Sequence, residues 1–398
     1  RASHGILNES YGFPAMGKPM RALFDPIRRG IATRLVLFLA LVLASGLLVP
    51  AALRADPGRG IDLVGCIAPQ RAGDRPEALL PELADVEEVI RRLLAPGEPC
   101  LEPAAAHALR SAGKRLRPVV FLLLAKALGQ RPGVAHIVVA AVLELCHTAS
   151  LFHDDVLDRA RVRRGRETLH TLRGNREAVL YGDHVLAGAF QLLADLSRPD
   201  LVALMADLVR RVCAGEIKQW SRRGRLLPRQ EYLAIIAAKT ASFFHTAGIL
   251  AGRLAGLDAA HAARLGCFGE NFGMAYQIGD DLYDIVAPPR ADKSTGRDSK
   301  AGILTLPWIC LRDAHGSQAL RDLYFKIDGK DRARVLEDAR MRAALRESAE
   351  IAAGLLREGA AFFEELPQSP ARDALAALAE DLRAKIMRFT TGKGPGFP

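Results

Sequence analysis

In "SLFHDDVLD" the residues Asp154, Asp155 and Asp158 form the pattern D-D-x-x-D, and in "YQIGDDLYD" Asp280, Asp281 and Asp284 repeat it. A charge block is usually a solvated face, and that is the bland reading of either cluster alone. On a helix, positions i and i+4 share a face, so Asp154 stacks on Asp158 while Asp155 sits about a third of a turn aside. Carboxylates this close repel one another, and something positive must offset them or their proton affinities rise. Two such clusters, each closing a long apolar helical run, could face each other across one cavity. Oxygen ligands of this kind suit Mg²⁺, which keeps waters and bridges to phosphates.

Basic residues lie where a phosphate would need them. "GKRLRP" supplies Lys114, Arg115 and Arg117, and "RRG" supplies Arg163 and Arg164 just after the first cluster. The Gly-Lys pair is not a Walker A loop, because Ala108 stands where the first glycine belongs and Arg115 follows the lysine. Arginine offers a planar fork to phosphate oxygens and lysine a point charge. Lys239, Thr240 and Lys293 are further candidates, whereas Arg161 and Arg166 read as surface. Glu216, Gln219 and Asp183 read as groups that satisfy buried polar atoms.

These residues need a scaffold of helices. The 398-residue chain is 49% hydrophobic, 25% charged and only 6% aromatic, with a formal net charge of +10. Alanine and leucine dominate, which favours helices over sheets. Apolar residues recur at helical spacing in "HIVVAAVLELCHTASLFHDDVLD", "QEYLAIIAAKTASFFHTAGILAGRLAG", "ARLGCFGENFGMAYQIGDDLYDIV" and the C-terminal segments. No sustained alternating run bounded by turn signals occurs, so strands are absent or minor. Several helices are apolar nearly all round, as in the interior of a large bundle. The spacing predicts one all-α domain over 79–392 and a short tail at 393–398.

Residues 1–78 differ from the rest. "RLVLFLALVLASGLLVPAAL", residues 34–53, is long enough to cross a bilayer. Membrane anchor, signal-like segment and spurious extension are the three readings of it. The six cysteines form no C-x-x-C pair and read as buried, reduced thiols of a cytoplasmic protein. Basic residues interleave with acids and stacking aromatics are few, which speaks against a nucleic-acid partner.

The motifs "GKRLRP", "HTASLFHDDVLD…RRG", "KTASFF", "YQIGDDLYD" and "TGRDSKAGILTLP" resemble, in order and approximate spacing, those of the trans-isoprenyl diphosphate synthases. The resemblance covers about residues 80–390. It implies a homodimeric, all-helical enzyme with a deep central cavity, joining isopentenyl diphosphate head-to-tail to an allylic diphosphate. By that resemblance Asp154, Asp155, Asp158, Asp280, Asp281 and Asp284 bind Mg²⁺, about three ions per active site. Arg163 looks like the allylic-diphosphate arginine. Lys114, Arg117, His147 and Arg164 look like the isopentenyl-diphosphate site. Lys239, Thr240 and Gln277 match positions lining the reacting carbons, and Lys293 matches a lysine that closes over the allylic diphosphate. Each has a bland counterpart: a core histidine for His147, a surface lysine for Lys239, a core hydrogen-bonder for Gln277.

One departure stands out. Where the family usually has Gly-Lys this chain has Gly302-Ile303, with Lys300 as a displaced substitute. Product length is set in this family by residues ahead of the first aspartate, here Ser150, Ala149 and, deeper, Cys146. These small side chains imply an open tunnel and a medium- to long-chain all-trans product of the quinone side-chain type, with geranylgeranyl diphosphate second. Leu180, Tyr181 and Phe190 are candidates for the tunnel floor. A non-catalytic subunit of a heteromeric synthase is the rival reading, and the retention of all six aspartates argues against it.

Overall fold

The computed structural model describes residues 80–390 except 96, 111–112, 164, 287–296 and 328–330, and only the backbone of Arg297 and Lys300. The expectations for residues 1–78 with their apolar run, for Arg164 and Lys293, for the Lys300 side chain and for the tail at 393–398 lie outside the described residues.

Fifteen α-helices carry the described chain: α1 Glu82–Leu94, α2 Glu102–Arg110, α3 Leu116–Ala127, α4 Val134–Leu157, α5 Leu169–Arg173, α6 Asn175–Asp195, α7 Pro199–Ser221, α8 Arg229–Ile236, α9 Ser242–Leu254, α10 Ala259–Val286, α11 Arg297–Lys300, α12 Leu306–Tyr324, α13 Arg332–Glu337, α14 Ala339–Ala360 and α15 Pro370–Arg388. The sole described strands, β1 Val162–Arg163 and β2 Arg166–Glu167, pair antiparallel as a minimal hairpin. The all-α expectation therefore holds.

Helices α9 and α10 pack along one another most extensively; α10 also packs on α14, and α4 on α6. α4 and α10 are buried on most of their circumference, including Val138, Val142 and Leu145 on α4 and Phe272, Ile278 and Leu282 on α10. Each such side chain contributes about 1.5–3 kcal/mol when removed from water. α4 and the continuous run Arg229–Leu254 are long and apolar enough to cross a membrane, but more than half of each is buried inside the bundle, so they are core helices here.

Glycines let α9 and α10 touch backbone to backbone. A Cβ added at Gly269 would overlap Phe244 O, and one at Gly248 would overlap Leu265 O. This contact fixes the register between Thr240 and Gln277, the residues discussed next. Gly269→Ala is expected to destabilise the fold by about 1–3 kcal/mol through overpacking, read as a lower urea midpoint; an unchanged midpoint would mean that the helices separate freely.

The thiol expectation holds in part. Cys146 and Cys310 are buried, but Cys100, Cys213 and Cys267 are exposed, and all five are free. Cys100 lies in a turn and Cys213 on an exposed face of α7 beside Ile217, which spacing along the chain did not reveal.

Candidate active site

The first aspartate cluster ends α4. Asp158 follows the last helical residue, and its N–H donates to Asp154 O at 2.8 Å. Asp155 turns inward and is buried, accepting from Arg163 Nε at 2.7 Å. The β1–β2 hairpin folds Arg163 back over the helix end to make this bond. Asp158 accepts from Arg223 Nη2 at 2.6 Å, across from the α7–α8 turn. Asp154 lies near Lys239, which pairs with Glu216 and donates to Gln219 Oε1 at 3.2 Å. Burial pushes the Asp154 carboxyl up to about 6; Lys239 and Arg163 oppose this, while Glu216 and Asp158 reinforce it. Burial also disfavours the Lys239 ammonium, but Asp154 and Glu216 outweigh it and its pKa is raised.

Lys239 and Thr240 sit in a π turn, Ala237–Ala241, between α8 and α9. Such wide turns are uncommon and concentrate at functional sites. Gly215 of α7 is pressed against this turn, where a Cβ would meet Lys239 N at 2.9 Å. Thr240 Oγ1 donates to Gln277 Oε1 at 2.7 Å, and Gln277 Nε2 donates to Asp281 Oδ1 at 2.8 Å. Tyr232 OH donates to Asp281 Oδ2 at 2.6 Å. A continuous buried network thus ties α8, the π turn and α10 together.

That network bears on one expectation. Asp281 was grouped with Asp280 and Asp284 as a metal ligand, yet it points into the core with both oxygens engaged. Burial, with Asp298 and Asp280 adding to it, holds its carboxyl well above the usual range, against the opposing bonds from Tyr232 and Gln277. Asp280 is exposed and Asp284 half-buried, one helical turn apart. Asp281 therefore positions Gln277, while Asp280 and Asp284 are the two carboxylates of the motif that are not buried. Removing one of its two partners leaves a buried oxygen unsatisfied, so Tyr232→Phe is expected to cost about 1–3 kcal/mol of stability. A chemical-denaturation midpoint equal to that of the unaltered protein would contradict this.

The basic candidates divide. Lys114 is exposed ahead of α3. The Arg117 guanidinium stands 5.0 Å from the Phe243 ring centre and 5.5 Å from that of Phe244. His147 packs edge-on against the same Phe243 at 5.6 Å. Arg117 and His147 are thus brought together, as the sequence suggested. Arg115 has a left-handed backbone conformation and pairs with Glu87 and with Glu144 at 3.2 Å. One cavity is lined by Arg115, Glu144, His147, Thr148, Asp155 and Arg163, so the His147 side and the first aspartate cluster share a space. Arg161 and Arg166 are exposed, as expected.

Several smaller expectations meet the structure here. Glu216 and Gln219 do more than satisfy core atoms, since they hold Lys239 beside Asp154; their three-residue spacing on one helix face was the available signal. Asp183 is exposed and pairs with His153 at 3.3 Å rather than serving a buried group. Ala149 and Cys146 are buried on α4, and Ser150 is half-buried with its hydroxyl donated to His147 O at 2.8 Å. Burial pushes the Cys146 thiol up to about 12. Tyr181 is buried and donates to Leu94 O at 2.8 Å, and Phe190 is half-buried, whereas Leu180 is 58% exposed and forms no floor within this chain. Ile303 adds no charge; its N–H donates to Asp298 O at 2.8 Å.

Among the described residues no three ligating side chains converge into a ready-made metal cage. A hard cation that keeps waters and takes substrate oxygens needs only one or two carboxylates, and the surplus of negative charge around Asp154 is what such a cation would offset. The donor set fits.

A helical bundle with two aspartate-bearing helix ends is the architecture of the isoprenyl diphosphate synthases. A polyprenyl synthase from Caulobacter crescentus, solved with calcium and isoprenyl diphosphate, superposes with a TM-score of 0.70 at 29% identity, covering 79% of this chain and 99% of that one. The sequence matches the family described as polyprenyl synthetase over residues 98–339. It is 35% identical to heptaprenyl diphosphate synthase component 2 of Geobacillus stearothermophilus over 75% of this chain and 94% of the relative. It is 31% identical to octaprenyl diphosphate synthase of Escherichia coli, again over 75% and 94%. This chain belongs to the polyprenyl synthetase family.

Proposed function

We propose that the protein is a prenyltransferase that joins isopentenyl diphosphate head-to-tail to an allylic diphosphate and repeats the step to a medium- or long-chain polyprenyl diphosphate. The observation that carries this reading is the meeting of Asp154, Lys239, Thr240 and Gln277 where α4, the π turn and α10 converge. Asp154, Asp155, Asp158, Asp280 and Asp284 would hold Mg²⁺ as the cofactor, which would supply positive charge to stabilise the departing diphosphate. The Caulobacter structure, with calcium and isoprenyl diphosphate together, supports a divalent cation beside such a substrate.

The chain's own groups do the rest. Arg163 binds allylic phosphate oxygens, poised by its bond to Asp155. Lys114, Arg117 and His147 hold isopentenyl diphosphate; stacking on Phe243 and Phe244 fixes the Arg117 fork before substrate arrives. The allylic C–O bond breaks with its electron pair leaving on the diphosphate. The cation that remains is met by the Thr240 hydroxyl oxygen and the Gln277 carbonyl oxygen, whose negative dipoles are preorganised by Asp281 and Tyr232. The double bond of isopentenyl diphosphate attacks that carbon, and a proton lost to the released diphosphate restores an alkene. Buried apolar walls keep water from capturing the cation.

Small side chains at Ala149 and Ser150 support a long product. Leu172, Val179 and Leu180, exposed on neighbouring α5 and α6, support a homodimer that buries them. The reaction belongs in the cytoplasm, with residues 34–53 a potential tether. The test is Mg²⁺-dependent incorporation of labelled isopentenyl diphosphate with geranyl, farnesyl and geranylgeranyl primers, products sized by chromatography. Incorporation abolished by chelator is expected. Folded protein inert with every primer would sink the reading and favour a subunit that needs a second component, as the Geobacillus relative's name describes for that protein.

A further inference from the structure

Arg223 has no part in the scheme above, yet it is bonded to the last aspartate of the first cluster. Its Nη2 donates to Asp158 Oδ1 at 2.6 Å, and its guanidinium carbon stands 5.9 Å from the Trp220 ring centre. Only 26% of the side chain is exposed, and the buried Nε has no hydrogen-bond partner among the described residues. An arginine fork normally engages a carboxylate with two parallel bonds. Here one prong is used and a buried donor is left unmatched, which costs free energy unless a partner arrives.

The backbone holds this arm in place. Gly224 N donates to Gly302 O at 2.8 Å, joining the α7–α8 turn to the segment after α11. Both glycines have positive φ, 70° and 72°, and a Cβ at Gly302 would press on Gly224 N at 3.3 Å, so the close approach relies on glycine. Onward, Ile303 N bonds Asp298 O, and Asp298 N reaches Asp284 Oδ2 at 3.4 Å. Arg223 thus sits on a hydrogen-bonded path from the last aspartate of one cluster to the last of the other. The side chain next along that path, Ile303, brings no charge.

We propose that Arg223 is a substrate-binding residue: it neutralises Asp158 in the empty site and donates to the allylic diphosphate when that group enters between the two clusters. The idea rests on the proposed prenyltransferase function, and the test separates the two. The probe is inorganic pyrophosphate, titrated calorimetrically into the full chain in Mg²⁺. Arg223→Met is expected to weaken binding about ten- to a hundred-fold, the worth of a charge-assisted hydrogen bond. Arg223→Lys, which keeps charge but not the fork, recovers part of the loss. If Arg223 acted only by orienting Asp158, Arg223→Lys, which can still pair with Asp158, would restore binding in full; a direct contact through the fork predicts only the partial recovery. In turnover the KM for the allylic primer rises while that for isopentenyl diphosphate stays put. Binding by Arg223→Met within two-fold of the unaltered protein, or full recovery by Arg223→Lys, overturns the inference alone. An unaltered protein that ignores pyrophosphate overturns the prenyltransferase reading with it.

Discussion

Asp154→Asn is expected to abolish prenyl transfer and, at the same time, to stabilise the substrate-free protein above neutral pH. The first effect follows from its position between Lys239, Glu216 and the aspartate cluster. Loss of one preorganised electrostatic group in a water-poor site costs about a hundred- to a thousand-fold, and a residue proposed to hold a cation as well belongs at the upper end. The second effect follows from its raised pKa. The folded state binds this proton more tightly than the unfolded chain, so the contribution to stability is present below the ordinary value of 3.8 and is lost as pH rises through about 6. At pH 8 the buried charge is therefore a cost, about 1–2 kcal/mol once partial solvent access is allowed for. Asparagine removes it. Scanning calorimetry in chelator should show the variant melting about 2 °C higher at pH 8 and unshifted at pH 4. Retained incorporation would remove Asp154 from the site, and a lower melting point at pH 8 would mean that its charge is already compensated.

The same aspartates show how far the sequence reaches. Pattern alone located both helix ends, because D-D-x-x-D closing an apolar run is a local signal. Helix geometry sets Asp281 about 100° from Asp280 and about 60° from Asp284, so spacing alone did not decide which way it faces; its burial and its two bonds do. What pattern could not supply was its partner. Tyr232 lies on α8, where a tyrosine among Leu233, Ile235 and Ile236 reads as ordinary core. The π turn was hidden for a related reason. "AAKTA" has good helical propensity, and the extra residue per turn is imposed by packing against α7 and α10 rather than by composition. Arg223 was the least legible of all. In "SRRGR" it looks like solvated charge, and only the Gly224–Gly302 contact, between residues far apart in sequence, turns it toward Asp158. Local chemistry was readable; long-range pairing of polar groups was not.

Ser150→Phe is expected to shorten the product from a medium or long polyprenyl chain to the farnesyl or geranylgeranyl class while leaving the first condensation largely intact. Ser150 precedes Asp154 by one helical turn and Cys146 by two, so along α4 these positions lie about 5–6 Å and 11–12 Å from the carboxylate end. On the proposed function, a growing chain anchored by its diphosphate at the aspartates would pass them in that order. Ser150 is half-buried, which leaves room for a ring without forcing α4 from its neighbours. Ala149 is 1% exposed, and a ring there would add an overpacking cost of about 1–3 kcal/mol, confusing a blocked tunnel with a damaged fold. Cys146 is nearly as buried, at 3% exposed, so the smaller change Cys146→Leu is the deeper probe; it should stop the chain one turn later than Ser150→Phe and give a longer product. The graded order is the decisive feature, because a general loss of activity would shorten both product ladders alike. Chromatographic sizing with a farnesyl primer reads it directly. Unchanged product lengths in both variants would mean that the chain leaves the aspartates along a different wall, and attention would pass to the face of α6 that carries Tyr181.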